Sequence, residues 1–390
     1  MKLAIVAGEA SGDLHASEVV RELKQLDPTL QTFGIGGDLL AREGMRILHH
    51  AREMGMVGLF NVIRHLGMFR RILNEMTDTI AREKPDAVML VDYPDFNLRL
   101  AKRCKAMGLR VIYYISPQVW AWRRGRVKQI GRLVDRMLVI FPFEEDFYRQ
   151  HNVPVTYVGH PLIDEMAPLT RRFAPPSPEG EGTRNREPSP SGEGGRRPDE
   201  GMRIALLPGS RRHEVRTLLP PMLDALSILK KEREVDAFII QAPTISSAEL
   251  LAVMQKAHDF VRIVPHDRGE ALSRADVALS SSGTATLECA IAGVPVIVMY
   301  RLSSPTHWLA QRLVKLRHFS LVNIVAGKDV VPELLQEDVN GERIAREVRK
   351  LLDPAENARV RGELAVVTQK LGRPGASRRA AEAIMSSVRA

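Results

Sequence analysis

The clearest candidate for chemistry is a turn of small residues, Ser282, Gly283 and Thr284. The turn follows an apolar run typical of a buried strand and opens a segment with helical spacing. Backbone N–H groups at a helix N-terminus, together with the helix dipole, favour binding of a phosphate or diphosphate. Glu288 lies about one helical turn further on, where a carboxylate can accept hydrogen bonds from ribose hydroxyls. The alternative is an ordinary strand-to-helix corner capped by Ser282 or Thr284.

A second turn of this kind comes earlier, at Gly209, Ser210 and Arg211, directly after the apolar run 204–207. Glycine and serine let the backbone approach an anion, and the forked guanidinium group of Arg211 can neutralise diphosphate oxygens. Each turn is a weak signal alone. Because both are predicted to follow strands of one sheet, together they indicate a diphosphate site.

The N-terminal strand is followed by a loop with two glycines, Gly8 and Gly12, which allow close backbone approach. Glu9, Ser11 and Asp13 offer polar groups to sugar hydroxyls in the same loop. The spacing differs from the dinucleotide pattern Gly-x-Gly-x-x-Gly, which argues against a nicotinamide cofactor. A turn with an ordinary helix N-cap is the alternative.

Two carboxylates, Asp92 and Asp95, follow the apolar run 87–91. A carboxylate at the carboxyl end of a strand is well placed to act as a general base, and we expect Asp92 to do so. Asp95 is predicted to bind substrate, with helix capping as the alternative. Trp120 follows the next strand, where it is predicted to form part of a wall facing the acceptor or, equally, to anchor the core.

Short apolar runs alternate with helical segments along the chain, a pattern that predicts an α/β protein with parallel sheets covered by helices on both faces. We predict two Rossmann-like domains whose strand-end loops face a central cleft. Between them, Pro, Gly, Glu, Ser and Arg predominate, which predicts a disordered linker. The predicted divisions are 1–170, a linker at 171–201, a second domain at 202–365, and C-terminal helices at 366–390 that pack back on the first domain.

The composition indicates a soluble globular protein with an anionic partner. Of 390 residues, 44% are hydrophobic, and the formal charge is +9 with a pI of about 9.7. The aromatic share of 5% argues against single-stranded nucleic acid, which needs stacking platforms. Cys104 and Cys289 lie in apolar segments and are predicted to be buried thiols in a reducing compartment. With no signal-peptide pattern and no long apolar run, we expect a cytoplasmic protein.

A stretch from Val57 to Met76 carries apolar residues at helical spacing. One interpretation is a core-facing amphipathic helix. The other is a surface that dips into anionic lipid. The residues predicted to contact the membrane are Leu59, Val62, Ile63, Leu66, Phe69, Arg70 and Leu73.

Taken in order, these loops resemble the lipid-A-disaccharide synthase family, inverting GT-B glycosyltransferases of Gram-negative lipid A assembly. The resemblance runs through nearly the whole chain, and the linker is longer than the family pattern. It is carried by residues 8–13, 92–97, 116–122, 141–144, 159–161, 207–211 and 282–288, and by Asn323.

The resemblance implies transfer of the sugar of UDP-2,3-diacylglucosamine to the 6-hydroxyl of 2,3-diacylglucosamine 1-phosphate (lipid X), which gives a β-1,6 disaccharide and UDP. Asp92 matches the family's catalytic aspartate. Arg211 and the 282–284 turn would stabilise the leaving diphosphate, and Glu288 would hold the ribose. Asn323 would contact the donor, with a structural turn asparagine as the alternative. No cofactor and no metal are expected.

Lipid substrates also imply a site of action. We expect a peripheral association with the anionic surface of the inner membrane and no nucleic-acid partner. Whether the protein forms a homodimer is left open. Three rivals remain: another UDP-N-acetylglucosamine-dependent GT-B transferase or epimerase, a non-catalytic nucleotide-sugar sensor, and a nucleic-acid binder.

Overall fold

The computed structural model describes residues 1–55, 62–122, 124–166, 201–254, 258–265, 268–302 and 317–389. Leu59 lies outside this part of the chain, as does the predicted linker except for residue 201. Among the described residues, 1–164 and 370–389 form one compact unit, and 165–302 and 317–369 form another. Each unit contains one sheet, and the sheets have seven and six strands.

All strands of the first sheet run parallel, in the order β3-β2-β1-β4-β5-β6-β7. The strands are β1 Lys2–Ala7, β2 Gln31–Gly36, β3 Arg46–His50, β4 Ala87–Val91, β5 Val111–Tyr114, β6 Arg136–Val139 and β7 Val155–Tyr157. The helices are α1 Ala10–Leu26, α2 Asp38–Arg42, α3 Ala51–Gly55, α4 Val62–Glu83, α5 Pro94–Ala106, α6 Val119–Trp122, α7 Val127–Leu133, α8 Pro142–Arg149 and α9 Leu162–Glu165.

The central strands are continuous apolar runs because helices cover both faces of the sheet. From Leu3 to Ala7, every residue of β1 is fully buried. On one face, side chains of α4 and α5 such as Ile72, Met76 and Phe96 pack in one cluster with Val88. Helices α1 and α17 (Ala376–Arg389) pack against each other in the same unit.

The second sheet is also parallel, in the order β10-β9-β8-β11-β12-β13. Its strands are β8 Met202–Leu207, β9 Val235–Ile240, β10 Val261–Val264, β11 Val277–Ser281, β12 Val296–Tyr300 and β13 Glu333–Leu335. The helices from here on are α10 Arg212–Lys230, α11 Ser247–Leu251, α12 Arg268–Ser273, α13 Thr284–Ile291, α14 Leu321–Ala326, α15 Gly341–Leu351 and α16 Pro354–Lys370. Short 3-10 helices occur at Arg124–Arg126 and Gln336–Asp338.

The predicted fold class is confirmed: the chain is α/β and contains two parallel sheets with helices. Within the described ranges, no helix combines the length and the apolar character needed to cross a bilayer.

Candidate active site

Asp92 lies at the carboxyl end of β4, in a backbone turn that few side chains tolerate. Asp92 and Tyr93 have φ angles of 45° and 46°, the left-handed region that non-glycine residues rarely occupy. The Asp92 N–H donates to Tyr114 O at 3.1 Å. Its carbonyl accepts from Asn97 Nδ2 at 2.7 Å and from the Tyr113 hydroxyl at 2.5 Å. Such strain persists where the surroundings over-determine the backbone, and it clusters at functional sites.

The environment of Asp92 suits a general base. Burial, and after it the negative charge of Glu9, raise the pKa of Asp92 from 3.8 to about 6. The Tyr93 N–H and His15 act in the opposite sense. A carboxylate with this pKa is mostly ionised at neutral pH yet accepts a proton more readily than an ordinary aspartate.

The loop after β1 adjoins the Asp92 turn. A Cβ atom on Gly8 would lie 2.7 Å from Cδ1 of Tyr93, so glycine is required for the two loops to pack together. Gly12 is buried, whereas Glu9 and Ser11 are exposed. Both are therefore accessible to a ligand, and their role as sugar-binding groups stays a prediction.

Asp13, from the same loop, has a structural task. It is 5% exposed and accepts the backbone N–H groups of Gly37, Leu39 and Leu40 at 2.6, 3.1 and 3.2 Å. The carboxylate thereby satisfies the N-terminus of α2, where free N–H groups are otherwise left over. Three of its roughly four acceptor sites are therefore used within the fold, and its contact with substrate stays a prediction.

Asp95 and Trp120 occupy different environments. Asp95 is exposed in the first turn of α5 and pairs with Arg126 at 3.4 Å. Trp120 is 8% exposed, and its Nε1 donates to Glu144 Oε1 at 3.1 Å. The structure therefore favours the core-anchor interpretation of Trp120 over an open wall.

In the second unit, the hydroxyl-rich turn forms the N-terminus of α13. Gly283 has a φ of 134°, which only glycine adopts without strain. The Ser282 hydroxyl donates to Phe319 O at 3.0 Å, which fixes the turn, while Thr284 is exposed. Since the first N–H groups of a helix have no partner within it, the backbone here can receive an anion.

Glu288 lies one turn into α13 and is mostly buried, with a side chain 19% exposed. Burial raises the pKa of Glu288, and the nearby Arg268 opposes that rise. Arg268 Nη2 lies 3.4 Å from Glu288 Oε2. Sequence reasoning missed Arg268, although its position soon after β10 marks it as a strand-end residue.

The turn after β8 is less open than its sequence predicts. Glu214 Oε2 accepts the N–H groups of Ser210 and Arg211 at 3.0 and 3.2 Å. These two N–H groups are therefore occupied within the fold, whereas the approach of an anion to Gly209 stays a prediction. The Arg211 side chain, 68% exposed, is still available for a diphosphate. The signal that was missed is the glutamate at the third helical position, typical of a capping box.

Asn323 is fully buried in α14, and its amide is saturated. Nδ2 donates to Val331 O and Glu333 Oε1, both at 2.9 Å. Oδ1 accepts the N–H groups of Val330 and Val331 at 2.8 and 3.0 Å. An amide can make no more bonds than these four, so the structure favours the structural interpretation.

The comparison with known families decides what kind of protein this geometry belongs to. The model of the lipid-A-disaccharide synthetase family matches residues 3–175 and 190–385. The chain belongs to this family. The lipid-A-disaccharide synthase of Geobacter sulfurreducens is 41% identical over 387 residues, covering 98% of this chain and 96% of that protein. That of Myxococcus xanthus is 42% identical over 386 residues, covering 98% and 97%.

Solved structures share the fold of this family member at low sequence identity. Acinetobacter baumannii MurG has a TM-score of 0.57 and 16% identity, with 99% of each chain covered. The calicheamicin glycosyltransferase CalG4 has a TM-score of 0.59 and 14% identity, covering 99% and 98%. A UDP-GlcNAc 2-epimerase from Neisseria meningitidis has a TM-score of 0.60 and 13% identity, covering 99% and 100%. The chain thus has the GT-B fold and is a glycosyltransferase of lipid A biosynthesis.

The predicted membrane-contacting stripe of this synthase divides between core and surface. Leu73 is 6% exposed and packs in the core, so the prediction that it projects into lipid is wrong. Phe69 is half-buried against Phe96, with ring centroids 5.1 Å apart, and Arg70 is exposed. The side chains of Val62, Ile63 and Leu66 lie outside the described part.

A groove of about 740 Å³ runs between α4 and α5. Phe69 and Leu73 contribute apolar surface to it, and the charged residues that line it are all basic: Arg70, Arg99, Lys102 and Arg103. The guanidinium of Arg99 lies over the Phe69 ring at 5.3 Å from its centroid. Within the described residues, no carboxylate forms an ion pair with any of these four cations, so the groove favours an anionic partner.

Proposed function

We propose that this glycosyltransferase transfers 2,3-diacylglucosamine from its UDP ester to the 6-hydroxyl of lipid X, with inversion at the anomeric carbon. The products are a β-1,6-linked disaccharide and UDP. Family membership supports the reaction class. The observation that carries the mechanism is Asp92, a half-buried carboxylate in a strained turn, whose pKa partial burial raises to about 6.

In this mechanism, inversion from an α-linked donor takes a single displacement. The Asp92 carboxylate accepts the proton of the 6-hydroxyl as that oxygen bonds to the anomeric carbon. The bond from that carbon to the UDP oxygen breaks in the same step, and the electron pair leaves with the diphosphate. Proton transfer to a positioned base contributes about 10² to 10⁴ in rate.

The second unit supplies groups for the leaving UDP. The exposed Arg211 and the first-turn N–H groups of α13 would stabilise the charge that develops on the diphosphate. Glu288 would accept hydrogen bonds from the ribose hydroxyls, with Arg268 orienting its carboxylate. Since the Arg211 guanidinium and the backbone N–H groups would neutralise the diphosphate, we propose no cofactor and no metal for this reaction.

We further propose that the first unit works at the anionic inner-membrane surface, where acyl chains of both substrates remain in the bilayer. The basic groove between α4 and α5 supports this localisation, together with the half-buried Phe69. Each basic side chain near an anionic surface contributes about 1 kcal/mol of attraction.

The deciding experiment is product analysis by mass spectrometry with UDP-2,3-diacylglucosamine and lipid X. We expect the wild type to form the disaccharide and Asp92→Asn to form about 10² to 10⁴ times less, while UDP binding measured by calorimetry is retained. Asp78→Asn, an exposed carboxylate on α4, is the control and should keep full activity.

Full activity of Asp92→Asn would remove Asp92 from the mechanism. Consumption of a UDP-sugar without disaccharide formation would favour the epimerase or another transferase. Thermal protection by duplex DNA but not by UDP would favour a nucleic-acid binder and overturn the proposal.

A further inference from the structure

A carboxyl group that the proposed reaction does not use lies buried in the first unit. Glu144, in the first turn of α8, is 1% exposed. Its Oε2 accepts the N–H of Phe141 at 3.3 Å, the usual contact of a capping residue. Its Oε1 accepts Nε1–H of Trp120 at 3.1 Å, and Trp120 lies in α6, which follows a different strand. Helix capping does not explain this second bond. The carboxyl group therefore joins α6, after β5, to the start of α8, after β6.

Helix α8 also reaches the segment that leaves β5, through Tyr148. Ser116 Oγ lies 2.8 Å from the hydroxyl of Tyr148 and donates to Pro117 O at 2.9 Å. Tyr148 is the titratable neighbour of Glu144, from its own helix. No described lysine, arginine or histidine forms an ion pair with Glu144. Hydrogen bonds alone therefore fix the segment, without a compensating charge.

The segment held in this way is strained and adjoins the catalytic turn. Ile115 has a φ of 62°, which is a genuine outlier for a β-branched residue. Its N–H donates to Leu138 O at 3.0 Å. The preceding residue, Tyr114, accepts the N–H of Asp92 at 3.1 Å. A displacement of Ser116 would therefore reach the Asp92 backbone through two residues.

We propose that Glu144 is a positioning residue for the transfer reaction: its carboxyl group ties Trp120 to α8, the helix whose Tyr148 contacts Ser116, and thereby keeps the Asp92 turn in its strained arrangement. The effect on activity rests on the proposed function, whereas the hydrogen bond between Glu144 and Trp120 does not. Because the carboxyl group is enclosed without a partner cation, its ionised form is costly. Burial raises the pKa of Glu144 to about 8, so the group is mostly neutral at neutral pH and ionises above that range.

The activity test compares Glu144→Ala, Glu144→Gln and the control Asp146→Asn, an exposed carboxylate on the same helix. Alanine leaves the N–H of Trp120 without its acceptor, so kcat/KM should fall about tenfold or more, mainly through kcat. Glutamine keeps an acceptor oxygen and cannot ionise. Activity of this variant should remain within severalfold of wild type at neutral pH and lack the decline that we expect of the wild type near pH 8, where Glu144 ionises. The control should retain the wild-type rate and profile.

A second measurement needs no activity. In a background with Trp122→Phe and Trp308→Phe, Trp120 is the one remaining tryptophan of the chain's three. Its fluorescence should change with pH in a transition near 8, where Glu144 ionises. The transition should be absent when Glu144→Gln is added and should persist with Asp146→Asn.

The two measurements separate this inference from the proposed function. A fluorescence transition that disappears with Glu144→Gln supports the tie even if no disaccharide forms in any variant. Wild-type kcat in Glu144→Ala would overturn the positioning role. If Glu144→Ala does not fold, the pH profile of Glu144→Gln decides. An alkaline decline in activity equal to that of the wild type overturns the proposal, and the absence of that decline supports it.

Discussion

Replacement of Asp92 by asparagine should stabilise the protein while it removes catalysis. Burial holds the pKa of Asp92 at about 6 against an ordinary 3.8, and each pKa unit corresponds to about 1.4 kcal/mol. Ionised Asp92 therefore opposes folding by about 3 kcal/mol at most. Asparagine has the same shape, cannot ionise, and is one of the residues that tolerate left-handed backbone.

The direction of the pKa shift determines whether ionised Asp92 stabilises or destabilises the folded protein. The folded state holds the Asp92 proton more tightly than the unfolded state does, so this carboxyl group lowers stability as pH rises from 3.8 through about 6. At pH 7 the free energy of unfolding should thus be about 1 to 3 kcal/mol higher in Asp92→Asn. At pH 3 the two proteins should be nearly equal, because Asp92 is then neutral in both states.

Differential scanning calorimetry across this pH range measures the effect. The transition of the first unit should rise by several degrees at pH 7, since 1 kcal/mol corresponds to about 2 to 4 °C in a unit of this size. Asp78→Asn, exposed on α4, should show no such pH-dependent difference. A variant with unchanged or lower stability at pH 7 would refute the claim that Asp92 is a poorly solvated charge, and with it the physical basis of its role as base.

Three further predictions concern other groups. Glu9→Gln should shift the acid side of the kcat/KM profile, which we expect near pH 6 in the wild type, to lower pH, because the charge of Glu9 helps to raise the pKa of Asp92. Asn323→Ala should lower the free energy of unfolding by about 2 to 4 kcal/mol in thermal denaturation, because it leaves buried backbone groups without a hydrogen-bond partner. Arg99→Gln with Lys102→Gln should weaken sedimentation with phosphatidylglycerol vesicles about thirtyfold, on the basis of about 1 kcal/mol per cation.

Each of these predictions has a control or an outcome that would contradict it. Ser11→Ala, in the same loop as Glu9, should leave the acid limb in place. For the vesicles, the matched pair is Lys128→Gln with Arg132→Gln, two exposed cations on α7. Equal losses from both pairs would mean that net charge, not the groove, drives binding. Wild-type stability in Asn323→Ala would contradict the saturated network around that amide.

Burial determines which parts of the fold the sequence predicts. Strands such as β1 and β4 are buried on both faces, so their apolar runs are continuous and coincide with the predicted runs at residues 3–7 and 87–91. The strands β3 and β13 lie at sheet edges and were not predicted. Most of their residues are only partly buried, with polar side chains among them, and a short mixed segment of this kind resembles a loop.

The site was predictable at the level of residue type and position. A carboxylate after β4 and a glycine turn before α13 are local patterns, and both occur where parallel strands end. The partners that occupy a side chain are not local. Asp13 bonds to Gly37, and Trp120 bonds to Glu144, each 24 residues away in sequence. Periodicity and motif spacing therefore could not distinguish an available polar group from one already bonded within the fold.

Helix α17 determines when, during synthesis on the ribosome, the packing of the first unit can be completed. Helix α17 packs on α1, and Gly375 just before it donates its N–H to Asp164 at 2.5 Å, although both partners are synthesised far earlier. Ala380, Ala381 and Ile384 of α17 are fully buried. While the second unit is being translated, the α1 surface they cover stays bare. The N-terminal unit, which usually folds first, therefore acquires its final packing only after α17 has been synthesised.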